Sequence, residues 1–181
     1  MKTVALLVLA LVAGPLSAEV GWKDKDGKTV PQTESLKSVA GFGGLLIVTP
    51  DKDWEEKWNS PAPPDFSATS TVKKGGELFI LTIYTNPELD ASGEANVTLD
   101  IDVRRPDGSS STDAKGAVCF QGKLRGPPHN VYLCGPVVGF IGEPSDPVGE
   151  WSVRIKLIDN VRKVEVPLST TFTLVNDETK R

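Results

Sequence analysis

Two tryptophans four residues apart, Trp54 and Trp58, stand in the short acidic stretch DKDWEEKWNS at positions 51 to 60. On a helix that spacing puts both indoles on one face, with Asp53, Glu55, Glu56 and Lys57 largely around the other. Two roles suit such a pair. Exposed, it forms an aromatic platform for sugar rings or an anchor for a partner protein, since interface hot spots favour tryptophan. Buried, it is a peg that covers a sheet and offsets the entropy of ordering the connection. The peg is preferred, because the strand expected at 77 to 85 is apolar on both faces and needs a cover.

The remaining reactive side chains assemble into little chemistry. His129, the single histidine, sits in the loop sequence GPPHN, a poor place to hold a catalytic base, and no G-x-S-x-G elbow accompanies it. Asp100 and Asp102 share one side of a strand and Glu143 and Asp146 share a loop, but alternating outward carboxylates are the ordinary exterior of a half-buried strand. GWKDKDGKT, at 21 to 29, superficially resembles a phosphate-binding loop. Gly21 and Gly27 have five residues between them where that motif needs four, and its aspartates repel phosphate. Read as a calcium loop, the stretch puts Trp22 at the first ligand position and Thr33 at the twelfth, so a plain Asp-Gly turn is expected. The sequon NVT at 96 to 98 lies on a strand and is read as a chance match. No catalytic residue, metal site or cofactor is assigned.

Cys119 and Cys134 flank FQGKLRGPPHNVYL, whose midpoint, Gly126-Pro127, suits a turn between neighbouring strands. A structural disulfide is expected, contributing about 3 kcal/mol in the chain-entropy account. A redox pair or metal ligands are the weaker alternatives, as there is no C-x-x-C and two thiols cannot complete a zinc shell.

These residues must be positioned by strands. LLIVT, to residue 49, ends at Thr49-Pro50, where a helix over 50 to 58 is expected, capped by Thr49 and with Asp51 and Asp53 near its N-terminus. ELFILTIYT (77 to 85) reads as a central strand. ANVTLDIDVRR (95 to 105) and WSVRIKLID (151 to 159) alternate cleanly, with Val97, Leu99, Ile101 and Val103, then Trp151, Val153, Ile155 and Leu157, turned inward. VEVPLSTTFTLV (164 to 175) ends the fold, and Pro167 requires an edge or a bulge there. With strands near 68 to 73, 117 to 121 and 130 to 141, the total is about eight, and the absence of a βαβ rhythm argues for an antiparallel sandwich.

The chain opens MKTVALLVLALVAGPLSA, one lysine ahead of an apolar run from Val4 to Ala13 and small residues at Ser17 and Ala18. That pattern predicts a signal peptide over 1–18, too short to remain as a span, and no later stretch approaches the roughly 20 apolar residues a span needs. Residues 19–40 read as a polar N-terminal arm or short hairpin outside the core, and 41–181 as one β-sandwich domain. The 17 glycines and 14 prolines punctuate short β-prone runs, and a net charge of -4 leaves no basic stripe for nucleic acid or anionic lipid.

KKGGELFILTIYTN, VTLDIDVRRPDGS, EPSDPVGEWSVRIKLIDN and TTFTLV together resemble the immunoglobulin-like domains of exported bacterial and macroglobulin-type proteins, over roughly residues 70 to 175. The resemblance implies an immunoglobulin-like antiparallel β-sandwich with one short helix. It carries no activity, since that scaffold hosts many, and no thioester or bait sequence is present. The chain is also similar to uncharacterised exported bacterial proteins of this size. The expectation is an exported, periplasmic or extracellular, non-enzymatic binding or assembly module for a protein partner, with no nucleic acid and no membrane insertion. A carbohydrate-binding module using Trp54 and Trp58 is the alternative, and an enzyme of unknown class the third reading.

Overall fold

A computed structural model describes residues 22, 23 and 26–177. The expected signal peptide lies outside them. The described residues form an all-β sandwich of two sheets, with ten strands and one short helix. One sheet joins β1 (Leu36–Val39), β2 (Phe42–Thr49) and β4 (Glu77–Thr85) with β7 (Val131–Leu133) and β8 (Val138–Ile141). The other runs in the order β3 (Thr71–Lys73), β10 (Val164–Val175), β9 (Gly149–Asp159), β5 (Ala95–Arg104), β6 (Ser110–Gly122). Every pairing is antiparallel except β3 with β10, which is parallel.

The alternating strands face as their patterns require. Val97, Leu99, Ile101 and Val103 of β5, Trp151, Val153, Ile155 and Leu157 of β9, and Val166, Leu168, Phe172 and Leu174 of β10 are buried against Phe42, Leu46, Val48, Leu78, Ile80 and Tyr84 of the first sheet. Gly44 lets the two layers close, because a Cβ there would fall 2.8 Å from Leu168 Cδ1 and 3.2 Å from Leu157 Cδ2. Close packing of this kind leaves no room for even one added carbon.

The ten strands are the expected eight with two changes. The arm contributes β1, so it is annexed to the sandwich instead of standing apart; Ala40 and Gly41, at φ 48° and 84°, close the β1–β2 hairpin as a two-residue turn with both dihedrals positive. The strand expected over 130 to 141 is broken into β7 and β8, because Cys134 is bonded to Cys119 of β6 and the Gly135 N–H donates to the Cys119 carbonyl at 2.9 Å. That stretch of backbone is diverted to the opposite sheet.

Pro167 does lie on an open margin. β10 pairs with β3 only over Thr173–Val175, and the Ser169 N–H, on the same side of the strand as residue 167, points away from β9 to the Glu34 carbonyl at 2.8 Å. A proline there removes no donor from the β9 ladder.

The helix is shorter than expected. α1 spans Trp54–Asn59 with Asp53 at its N-cap and no side-chain cap. The Thr49 hydroxyl accepts instead from the Asp51 N–H at 3.1 Å, which closes a turn ahead of the helix.

Candidate functional site

The tryptophan pair does not form an open platform. Both indoles are half-buried, and Trp54 leans on Phe79 of β4 with ring centroids 6.1 Å apart. Phe79 belongs to the outer face of the first sheet, in line with Leu81 and Ile83, which are buried. α1 is held there by Asp51, whose carboxylate takes the Lys57 ammonium at 2.7 Å and the Ser67 N–H at 2.8 Å. Those bonds, Lys57 first, hold the Asp51 carboxyl well below the usual range. A second cover comes from the arm. Trp22 lies over Gly43, where a Cβ would meet its Nε1 at 2.9 Å, and that Nε1 donates to the Lys37 carbonyl at 3.1 Å.

His129 is exposed in the loop before β7, and its carbonyl accepts from the Thr85 hydroxyl at 3.1 Å. Glu143 and Asp146 close a turn on each other's backbone, with the Glu143 N–H donating to Asp146 at 2.9 Å. Asn96 and Thr98 both accept from the Asn160 side chain, at 2.9 and 3.1 Å. Among the described residues no cluster of three or more His, Cys, Asp or Glu side chains is arranged to hold a metal ion.

Asp100 and Asp102 line a groove of about 380 Å³ on the outer face of the second sheet, closed on one side by Glu34 and Lys37 of the arm. Pro167 and Ser169 of β10 also line it. Asp100 accepts from the Gly116 N–H at 2.9 Å and pairs with Lys156 at 3.4 Å, and these, the Gly116 bond foremost, keep its carboxyl below the usual range against partial burial. Lys156 also reaches Glu165 at 3.4 Å, and Glu165 first, then Asp100, raises its ammonium. Asp102 pairs with Arg104 at 3.0 Å and leaves Oδ1 shielded from solvent, without a partner among the described residues. A carboxylate held ionised by fixed donors is a poor general acid near neutrality, so this grid is a set of matched charges.

A second concavity of about 270 Å³ opens between the sheets along the margin where β6 faces β8. Its lining includes Val103, Arg105, Thr112, Phe140, Glu143 and Trp151. Phe140 and Trp151 meet edge-on with centroids 4.9 Å apart, and the Arg105 guanidinium sits 5.7 Å from the Trp151 ring centroid while bonding the Ser110 carbonyl. Three exposed aliphatic side chains stand on these strands but apart from one another: Ile141 of β8 (60%) lies opposite Glu77 at one end of β4, Val131 of β7 (50%) opposite Thr85 at the other, and Val118 of β6 (57%) beside Thr98 on the second sheet. The two sheets are tied by the Cys119–Cys134 bond, Cα atoms 4.4 Å apart.

The opposite end holds a polar node. Asp159 is wholly buried and accepts from the N–H groups of Glu88 at 2.7 Å, Val161 at 3.1 Å and Arg162 at 3.0 Å. Arg162 spans the sandwich end, bonding the Ala40 carbonyl, the Asn86 carbonyl at 3.2 Å and Glu88 at 3.0 Å. Continuing the inward alternation of Trp151 to Leu157 by one step would have flagged Asp159 as an inward carboxylate.

No protein-family model matches the chain, and no curated protein does. Among solved structures it is similar to a family 123 glycoside hydrolase from Clostridium perfringens, at 12% identity and a TM-score of 0.41. That likeness covers 74% of this chain but only 28% of the hydrolase. It is also similar to a Niemann-Pick type C2 protein from Japanese carpenter ant, at 11% identity and a TM-score of 0.37, covering 73% of this chain and 89% of that one. Likenesses this distant carry neither activity nor ligand.

Proposed function

We propose that this protein is an exported, non-enzymatic binding module whose partner is another protein. The reading rests on the margin of β8, where the exposed Ile141 stands beside the cleft lined by Phe140 and Trp151, between sheets tied by the disulfide. An open cleft with an aromatic floor beside an exposed apolar side chain favours association. A disulfide that ties the two sheets suits a non-reducing compartment, which agrees with the signal-like start of the chain. The immunoglobulin-like resemblance is compatible with this role and adds no substrate.

A photo-crosslinking residue at Ile141, carried by the protein in its own compartment, is expected to give a discrete adduct with a second protein. The carbohydrate reading is favoured by a specific alternative result: retention on polysaccharide that survives high salt and is lost in Trp54→Ala and Trp58→Ala. The half-burial of both indoles and the contact of Trp54 with Phe79 weigh against that outcome.

A further inference from the structure

The two strands that face each other across the inter-sheet cleft are unequally protected. β6 carries Asp113 and Lys115, and its pairing with β5 slips at three places. Charges and bulges are how sheet edges avoid joining foreign strands. β8 has neither: Val138, Gly139, Phe140 and Ile141 include no charge and no proline, and they pair with Ile80, Phe79, Leu78 and Glu77 in unbroken register.

Backbone polar groups alternate in direction along a strand. The Gly142 N–H donates to the Gly76 carbonyl at 3.0 Å, and the Gly142 carbonyl accepts from the Gly75 N–H at 2.6 Å. Residues 142, 140 and 138 therefore turn their amides toward β4. Gly139 and Ile141 turn theirs to the open side, where no hydrogen bond from a described residue meets them. Both residues are exposed, and a Cβ built on Gly139 meets nothing within 4 Å.

We propose that β8 is a docking edge that takes an extended segment of the partner protein as an added strand, seating an apolar side chain of that segment in the cleft over Phe140 and Trp151. The proposal rests on the protein-binding reading and specifies its chemistry. Outward N–H and C=O groups on alternate residues are complemented by another extended backbone, and the aromatic floor suits an aliphatic or aromatic anchor. Arg105 is already engaged by the Ser110 carbonyl and the Trp151 ring, while Glu143 and Asp146 stand at the mouth. The anchor is thus flanked by a lysine or arginine. A second copy of β8 fits poorly, because it brings its own Glu143 and no basic residue beside it.

The test is panning of a random-peptide phage library on the full chain, followed by binding measurements with the enriched peptides. Enriched sequences should alternate apolar and polar residues with a basic neighbour to the anchor. Gly139→Pro removes one outward N–H and no bond to β4, so it should fold with unchanged Tm and weaken binding by about tenfold or more, whereas Gly139→Ala should not. Thr112→Trp, at an exposed position lining the cleft, should abolish binding by filling it. N-methylation of alternate peptide amides should be damaging and of the intervening ones harmless. The proposal is overturned if panning enriches nothing, if Gly139→Pro and Thr112→Trp both leave binding unchanged, or if sedimentation shows the chain pairing with itself through β8. The two readings fail separately: an Ile141 crosslink to a protein that persists in Gly139→Pro leaves protein binding standing and ends strand addition.

Discussion

Replacing Asp159 with alanine should be among the most damaging single changes to this fold. The carboxylate is wholly buried and holds three backbone N–H groups from two different segments, those of Glu88, Val161 and Arg162, at 2.7 to 3.1 Å. Each buried donor left without a partner costs about 1–3 kcal/mol. Relaxation of the two loops recovers part of that, so a loss of about 4 kcal/mol is expected, in line with breaking one side of a buried ion pair. For a domain of this size that corresponds to roughly 10 °C in Tm. Arg162→Met should cost less, about 2 kcal/mol, because the Asp159 bonds to backbone survive it. The assay is urea unfolding followed by tryptophan fluorescence with the disulfide intact, comparing midpoints at equal slope. If Asp159→Ala lost no more than about 0.5 kcal/mol, the scale of an ordinary surface change, or if Arg162→Met proved the worse of the two, the argument from backbone satisfaction would fail.

Reduction of Cys119–Cys134, or its replacement by serines, should lower stability by about 3 kcal/mol for this loop length, read by the same unfolding curves with and without reductant. Trp54→Ala should cost about 2 kcal/mol, below the 3–5 of a fully buried tryptophan, and Phe79→Ala should remove most of that difference in a double-mutant cycle. Asp51 has its folded-state pKa depressed chiefly by Lys57, so its contribution is complete above its unfolded pKa of about 3.9 and is lost as pH falls below it. The wild type should therefore lose stability between about pH 4 and lower values more steeply than Asp51→Asn does, a difference that acid titration of the unfolding free energy will show.

Much of the sandwich was legible because alternation in β5 and β9 fixes which side chains face inward, and because β4, apolar on both faces, has to be covered on both. The break between β7 and β8 was not, since one continuous strand was expected from 130 to 141 and the bonds of Cys134 and Gly135 to β6 divert it there. The helix start was misplaced for a related reason: Thr49 had two ways to satisfy a backbone donor, and the Asp51 link to Ser67 on the far side of the loop selected the turn. Trp22 was passed over because the cover it gives Gly43 depends on the arm folding back. The Arg162 node joins positions as far as 122 residues apart, beyond any periodicity. Gly139 and Ile141 carried no compositional mark at all; what distinguishes them is the direction of their amides.

β10, the C-terminal strand of the fold, is bound to β9 along its length, to β3 in parallel, and to the arm through Ser169 and Glu34. It also supplies Leu168 and Val166, which lie against the position of Gly44 on β2. Among the described residues, the arm and the first long strand are therefore direct neighbours of the last strand. As the polypeptide emerges from N- to C-terminus, the part of the inner face of β2 that lies against β10 is uncovered until residues 164 to 175 arrive. Folding dominated by such distant pairings is slow, because loop closure must precede the contacts that reward it. The nascent chain consequently spends its growth with that apolar surface uncovered, and a truncation within β10 would leave a collapsed, sticky intermediate in place of a smaller sandwich.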